Sequence, residues 1–449
     1  MRGLGEALVA GSTGEGSASF DVFARTLDLR WIRQALAATG TASVRRRKLP
    51  AEFVVWIVIG MALLRDRSIA EVVRHLNLVV PDPRVPDGRG HVSSGAIAQA
   101  RERLGPQPLA ALFALTSAHW SAASAAQLRW RGLAVYGVDG TTLRVPDTAA
   151  NARAFGRPGS ARAAAAYPLV RVVALMVLRS HLLAGLVQGP CTQSELSLAA
   201  PLWPTLPDHS LTIVDKGFVA YAVFHQIHAQ GLHRHWLTRA KAHLRWSVQR
   251  LLAPGDELIE IPVHSNLRRG HPELPPTLPA RAIRYHHRGF RPQILLTSLR
   301  DPVAYPAAEI IALYHERWEL ELGFDEVKTH TLERLETLRS QTPARIAQEI
   351  WGLAIGYNLV RLEMARVATR AHVPPTSISY RHALMLVRNF WVTAWVASPG
   401  VLPRRLDHLH RELALLILPK RRPRVFPRAV KLKLSSYPRK PSSPRSPTS

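Results

Sequence analysis

Two aspartates close short apolar runs: Asp139 follows VYGV and Asp215 follows LTIV, and each has a glycine within two residues. Glycine lets backbone or ligand approach closely. If neighbouring strands end together, the two carboxylates lie side by side, where their repulsion is severe unless cations sit between them. Hard cations such as Mg²⁺ take carboxylate oxygens together with water and phosphate. Taken singly, each aspartate also suits a turn or a helix cap. A third element is the stretch YHERWELELGFDEVK, which carries Tyr314, Arg317, Glu321 and Lys328. Read as one helix from Ala307 to Thr329, at about 100° per residue, it places these four within an arc of roughly 60°. A carboxylate flanked by two cations and a phenol suits a metal ligand beside a phosphate backbone. Arg317 and Lys328 would hold phosphates, and Tyr314 would hydrogen-bond one. The same spacing also describes an exposed face with an Arg317–Glu321 pair at i, i+4, worth only about 0.3 kcal/mol.

The elements that must position these groups follow from the apolar pattern. Leu133 to Val138, Leu169 to Val177 and His181 to Val187 read as strands. Gln193 to Leu202 is then helical, Leu211 to Val214 a strand, Val219 to Gln230 a helix and His235 to Thr238 a strand. That succession is the order of a ribonuclease-H-like α/β layer. Between Lys241 and Arg300, β-like pieces (Glu257 to Val263, Ala282 to His286, Gln293 to Ser298) alternate with Pro/Gly-rich turns and predict an inserted β subdomain. Helices resume at Ala307 and include Thr342 to Thr369. Ahead of the first strand the chain is helical: Leu49 to Leu64 entered through Pro50, Ser68 to Leu76, and a helix from Ser94 to Arg103 ended by Gly105-Pro106. Arg101 and Arg103 on that last helix suit either a DNA groove or a solvated basic face. The expected organisation is a disordered N-terminus (1–19), a helical N-terminal DNA-binding domain (20–130), and a catalytic core in two pieces (131–239 and 301–370). The inserted β subdomain (240–300), a C-terminal helical region (371–419) and a basic tail (420–449) complete it.

Composition narrows the partner. Lys plus Arg number 59 against 32 acidic residues, a net charge of +27. A surplus of that size favours nucleic acid, since each phosphate neutralised releases counterions, with anionic membranes or other polyanions as the alternatives. The longest apolar run, Phe53 to Leu64, is too short to span a bilayer. The start of the chain lacks the basic and apolar blocks of a secretory signal. The single cysteine, Cys191, excludes a disulfide framework and a cysteine-based zinc site. Together these features favour the cytoplasm. His225, His228, His233 and His235 cluster across a helix–strand junction without a cysteine partner. No Walker loop or GxGxxG is present, so no nucleotide cofactor is implied. From Lys420 onward the chain has ten Lys/Arg and no acid, the composition of a phosphate-seeking arm that cannot fold alone.

The spacing Tyr-x2-Arg-x3-Glu-x6-Lys resembles the signature of the bacterial insertion-sequence-four transposases, a subgroup of the DDE class. YHERWELELGFDEVKTHTL and LRSQTPARIAQEIWGLAIGYNLVR are similar to that family nearly throughout. DGTTLRVPDTAANARAFG resembles its first-aspartate block, VDKGF its second, and FPRAVKLKLSSYPRK its C-terminal end. The second block more commonly has Arg where this chain has Lys216. The resemblance, spanning residues 20 to 440, implies a ribonuclease-H-like core with a β insertion between the second aspartate and the glutamate. It also implies Asp139, Asp215 and Glu321 as ligands of two Mg²⁺ ions, with Mn²⁺ as a substitute, leaving Glu319 and Glu326 as the acids to test should Glu321 fail. The implied activity is cut-and-paste DNA transposition through a hairpinned element end. Its partners would be double-stranded terminal inverted repeats and target DNA, gripped by a dimer assembled on them. An extruded base would rest on an aromatic of the insertion; Trp246 lies in that region, although core packing is the commoner use of Trp. Two other readings use the same residues: an inactive or repurposed DNA-binding protein, and a stand-alone metal-dependent nuclease.

Overall fold

The computed structural model describes residues 27–42, 49–76, 92–160, 163–286, 291–333, 337–394 and 401–419; the expectations for the 1–19 terminus and the basic tail lie outside them. Helix α1 (Leu29–Ala38) starts at Asp28, whose carboxylate accepts from the Arg30 backbone N–H. Helix α2 (Ala51–Leu63) buries all of its 13 residues except Glu52. A helix apolar all round must be wrapped by other elements. Helix α3 (Ile69–His75) opens with a Ser68/Glu71 capping box. Helix α4 (Ser94–Leu104) starts where expected, is capped by Ser93 and stops at Gly105, whose φ is 67°. Helix α5 (Gln107–Gln127) leads to the sheet.

Nine strands form that sheet: β1 (Ala134–Arg144), β2 (Leu169–Val177), β3 (Leu182–Pro190), β4 (Ser210–Val214), β5 (Arg234–Arg239), β6 (Ser247–Ala253), β7 (Asp256–Pro262), β8 (Thr277–Tyr285) and β9 (Gln293–Thr297). Their order is β3-β2-β1-β4-β5-β9-β8-β7-β6. The first three pair antiparallel, whereas β1, β4 and β5 run parallel. The segment expected as an inserted β subdomain prolongs this sheet, because β9 pairs antiparallel with β5 through Leu295↔Arg239 and Thr297↔Leu237. Pairing there covers an edge of β5 that would otherwise present unpaired N–H and C=O groups.

The remaining long elements lie on the sheet faces and beyond: α6 (Ala149–Phe155), α7 (Tyr221–Ala229), α8 (Ala307–His315), α9 (Trp318–Asp325), α10 (Pro343–Ala371), α11 (Tyr380–Ala394) and α12 (Leu402–Ala414). The single helix expected over Ala307 to Thr329 is corrected: it breaks at Glu316–Arg317, and after α9 it widens into a π-helical turn, Glu326–Thr331. Both irregularities coincide with anchored carboxylates. Glu316 is gripped by Arg179 Nε and Nη2 at 2.9 and 2.8 Å. Glu326 is drawn inward to Arg361 and to Tyr357 Oη, the latter at 2.8 Å.

Alternate residues of β1 face opposite layers. Leu133 and Val135 join an apolar core that also takes in Ile57 of α2, Tyr357 of α10 and Leu413 of α12; Tyr136 and Val138 join another with Trp203, Phe224 and Trp236. The N-terminal helices therefore share a core with the sheet. A buried polar hub reinforces the junction. Arg65 Nη1 meets Glu349 Oε1 at 2.6 Å, and Arg101 donates to Gln348 Oε1 and Ser340 Oγ, both at 2.9 Å.

Candidate active site

The register of the parallel strands decides where the two aspartates go. Val138 of β1 lies opposite Val214 of β4, so the next residues, Asp139 and Asp215, leave adjacent strands side by side. The expectation that both close strands is half right. Asp215 does, and its carboxylate caps the following turn by accepting from the Gly217 N–H. Asp139 sits inside β1, because the antiparallel partner β2 continues beside it to Arg144.

Strand periodicity then sets a row on one face of β1. Gly137, Asp139 and Thr141 alternate with residues of the opposite face and meet, in turn, α9, the α8–α9 joint and the π-turn. A Cβ at Gly137 would come within 2.7 Å of Leu320 Cδ1, so the glycine lets α9 lie directly on the strand. Glu321, the next residue, is thereby carried towards the aspartates. Its Oε1 accepts from Arg317 Nη2 at 2.9 Å, and its side chain is 41% exposed. Lys328 Nζ donates to Thr141 Oγ1 at 3.2 Å. Tyr314 is buried and its hydroxyl shares a side-chain hydrogen bond with Arg317.

Electrostatics mark Asp139 as under-compensated. Burial pushes its carboxyl up to about 6, the Gly140 N–H and Arg317 oppose that shift, and Asp215 and Glu195 add to it. Burial lowers the Arg317 guanidinium, but Tyr314, Glu321 and Asp139 outweigh it and hold it above its ordinary value. The donor set is three carboxylates, the hard oxygen ligands a divalent cation takes. Two of them are adjacent and one resists ionising unaided, which fits such an ion. Among the described residues no three His, Cys, Asp or Glu side chains already stand close enough to hold one.

The structure disperses other expected residues. Arg101 is 2% exposed and hydrogen-bonded through Nε to Gln348 and through Nη2 to Ser340, with burial lowering it to about 10, so its expected place in a DNA groove is corrected. Arg103 remains exposed on the same helix. Trp246 is half-buried just before β6 and packs against the Trp203–Trp236 core. Glu319 and Glu326, the two reserve acids, are already taken: Glu319 by His181 Nε2 at 2.8 Å, and Glu326 by Arg361, Tyr357 and His181. Among the histidines, His235 Nδ1 meets Ser298 Oγ at 3.2 Å and burial depresses the ring to about 4.

Sequence reading missed two neighbours. Glu195 underlies the site from the other face of β1, where a Cβ on Gly140 would meet its Cδ at 2.5 Å, and it pairs with Arg171 at 3.7 Å. No local pattern distinguishes it. Thr141 could have been found, since it stands two residues beyond Asp139 on the same strand face.

Comparison with known proteins adds the following. The family model of the insertion element 4 transposase N-terminal region matches residues 17–114, and that of the transposase DDE domain matches residues 130–359. The transposase InsG for insertion sequence element IS4, from Escherichia coli strain K12, is 35% identical over 424 residues, covering 94% of each chain. A solved piggyBac transposase synaptic complex with hairpin DNA aligns with 88% of this chain and 82% of its own, at a TM-score of 0.38 and 10% identity. Among the described residues no helix is long and apolar enough to cross a membrane.

Proposed function

The chain belongs to the insertion element 4 family of DDE transposases, and from that premise we propose that Asp139, Asp215 and Glu321 are the ligands of two Mg²⁺ ions in a ribonuclease-H-like catalytic core. It is a DNA transposase, and enzymes of its class depend on divalent metal. The observation that carries the assignment is the Val138↔Val214 register, which sets two carboxylates together under a helix bearing the third acid. The strand order β3-β2-β1-β4-β5, three antiparallel and then two parallel additions, supports the fold.

Bound there, divalent cations lower the pKa of the attacking water and neutralise charge on the scissile phosphate. The protein's own groups do the rest. Arg317, released from Glu321, and Lys328, poised at Thr141, hold phosphates flanking the one that reacts, and Tyr314 orients Arg317. Water attacks phosphorus at the element end and frees a 3′-OH. That hydroxyl then attacks the opposite strand, giving a hairpin whose hydrolysis restores the 3′-OH for attack on target DNA. Arg103 and the helices of residues 20–130 contact the element end, Trp246 takes an extruded base, and two copies of the chain assemble on the DNA. A cytoplasmic location belongs to the same proposal.

The test incubates the full-length protein with linear DNA carrying its own terminal inverted repeats, with and without Mg²⁺. Metal-dependent cutting at the repeat ends, a hairpin-length product on a denaturing gel and joining to a target are expected. Cutting without joining identifies a nuclease, and a shifted but uncut DNA identifies an inactive binder.

A further inference from the structure

The π-turn that sends Lys328 to Thr141 also forms one wall of a cleft of about 570 Å³, within the ~300–1,000 Å³ typical of small-ligand sites. Thr329 and His330 of the turn, with Glu333 just beyond it, line this wall. Arg381, Leu384, Met385 and Arg388, at i, i+3, i+4 and i+7 on one face of α11, line the other. The cleft lies outside the carboxylate site and none of these residues serves there.

Its chemistry is specific. Arg388 is 14% exposed and pairs with Glu333 through Nη1, while its Nε and Nη2 are buried without a hydrogen-bond partner. Two unpaired guanidinium donors in one place call for an acceptor with several oxygens and no proton to offer, which is what a phosphodiester presents. Arg381 is exposed at the mouth and adds a second cation against the single acid Glu333. Between the arginines, buried Leu384 and Met385, the latter 52% exposed, give an apolar and polarisable floor on which a flat ring packs. Anionic oxygens joined to an apolar ring system describe a nucleotide. Thr329, on the lip, directly follows Lys328, which reaches Thr141 two residues from Asp139 on the same face of β1.

We propose that this cleft holds one nucleotide of the DNA being processed, its phosphate on Arg381 and Arg388 and its sugar and base against Leu384 and Met385. This rests on the chain acting on DNA as a transposase, and it gives α11 a part in gripping the strand beyond the reacting phosphate.

The test measures binding of the full chain to fluorescent terminal-repeat DNA over a salt series. Arg381→Ala, an exposed change that leaves the fold alone, should weaken binding about 10-fold and reduce the slope of log K against log salt by about one. Glu333→Gln should act in the opposite direction and tighten binding, because it removes an acid and frees a third donor of Arg388. A structural role alone would weaken both variants or neither. Met385→Cys should form a disulfide with DNA carrying a thiol tether at one or two neighbouring positions near the cleaved end; Cys191 is buried and gives no background. Wild-type affinity and salt slope in both charge variants would overturn the proposal, as would cross-linking spread evenly over all positions. Competition by free dAMP that Arg381→Ala abolishes, with DNA affinity unchanged, would assign the cleft to a free nucleotide instead. A wild-type chain that does not bind repeat DNA at all would strike at the transposase reading itself.

Discussion

Glu349 and Asp139 are both withdrawn from water, and they have opposite fates. Glu349 receives the Arg65 guanidinium at 2.6 Å, the Arg339 and Ser340 backbone N–H groups at 2.9 and 3.0 Å, and the Ser340 hydroxyl at 2.6 Å. Burial pushes its pKa up, but these partners win and hold it below the ordinary carboxylate range. Glu326 is similar: burial opposes, but Arg361, His181 and Tyr357 prevail and hold its carboxyl well below the ordinary range. Asp139 is met by the Gly140 N–H at 2.8 Å, with two further acids nearby, and is pushed up to about 6. Burial acts the same way on all three, so the difference is the supply of donors. Where the protein completes the shell itself, the carboxylate is structural. Where it stops short, as at Asp139, the carboxylate resists ionising, which is the condition the proposed cation would relieve.

The largest expected effect tests the completed hub. Glu349→Ala leaves Arg65 and the neighbouring donors buried without their acceptor, and should cost about 3–5 kcal/mol of stability. Chemical denaturation reads this directly, and a loss under about 1 kcal/mol would break the contrast between the two kinds of acid. Next come the incomplete ones. Asp139→Asn, Asp215→Asn and Glu321→Gln should each lower end cleavage at least about 100-fold while the protein stays folded and DNA binding holds or tightens. As the proposed ligands of one metal site they should act as a unit, so a double variant should be little worse than a single one. Near wild-type cutting by Glu321→Gln would remove it from the set, and the engaged state of Glu319 and Glu326 would leave no ready substitute on that stretch. A smaller effect is expected from Arg317→Ala and Lys328→Ala, about 10-fold in strand joining with initial binding less affected. Equal losses in binding and joining would reduce both residues to general charge.

Particular residues show what was legible in advance. Leu169–Val177 could be delimited to the residue because a strand buried on both faces is a continuous apolar run. The second aspartate was placed correctly for the same reason, since Ser210–Val214 is buried throughout. β6 was missed because nearly all of it is exposed at the sheet edge and it carries no apolar alternation. The continuation of β1 past Asp139 was hidden by Gly-Thr-Thr, which reads as a turn but is held extended by β2. Burial of Arg101 was invisible locally, its partners Ser340 and Gln348 lying far along the chain. The break at Arg317 and the π-turn after Asp325 coincide with contacts to Arg179 and Arg361, again distant in sequence. Local periodicity predicts elements; it does not report which charged groups a fold brings home from elsewhere.

The smallest effect separates the two classes of acid by stability alone. A carboxyl raised from 3.8 to about 6 by folding binds more protons in the native state than in the unfolded one between those values. Its contribution to stability is therefore fully present below about pH 4 and is lost as pH rises through about 6. Above that, an ionised Asp139 works against the fold. Asp139→Asn removes the liability, so without metal at pH 8 the variant should melt about 2 °C higher than the wild type, and the gap should close as the pH approaches 4. Added Mg²⁺ or Ca²⁺ should reverse the order, raising the wild-type Tm by mass action and leaving the variant almost unmoved. Glu349→Gln offers the contrast: its carboxylate is stabilised in the fold, so that variant should lose stability at pH 8 whether or not metal is present. A metal-free Asp139→Asn protein that melts below the wild type at pH 8 would mean that Asp139 is already satisfied by the protein, and the distinction between the two kinds of carboxylate would fail at the residue it most depends on.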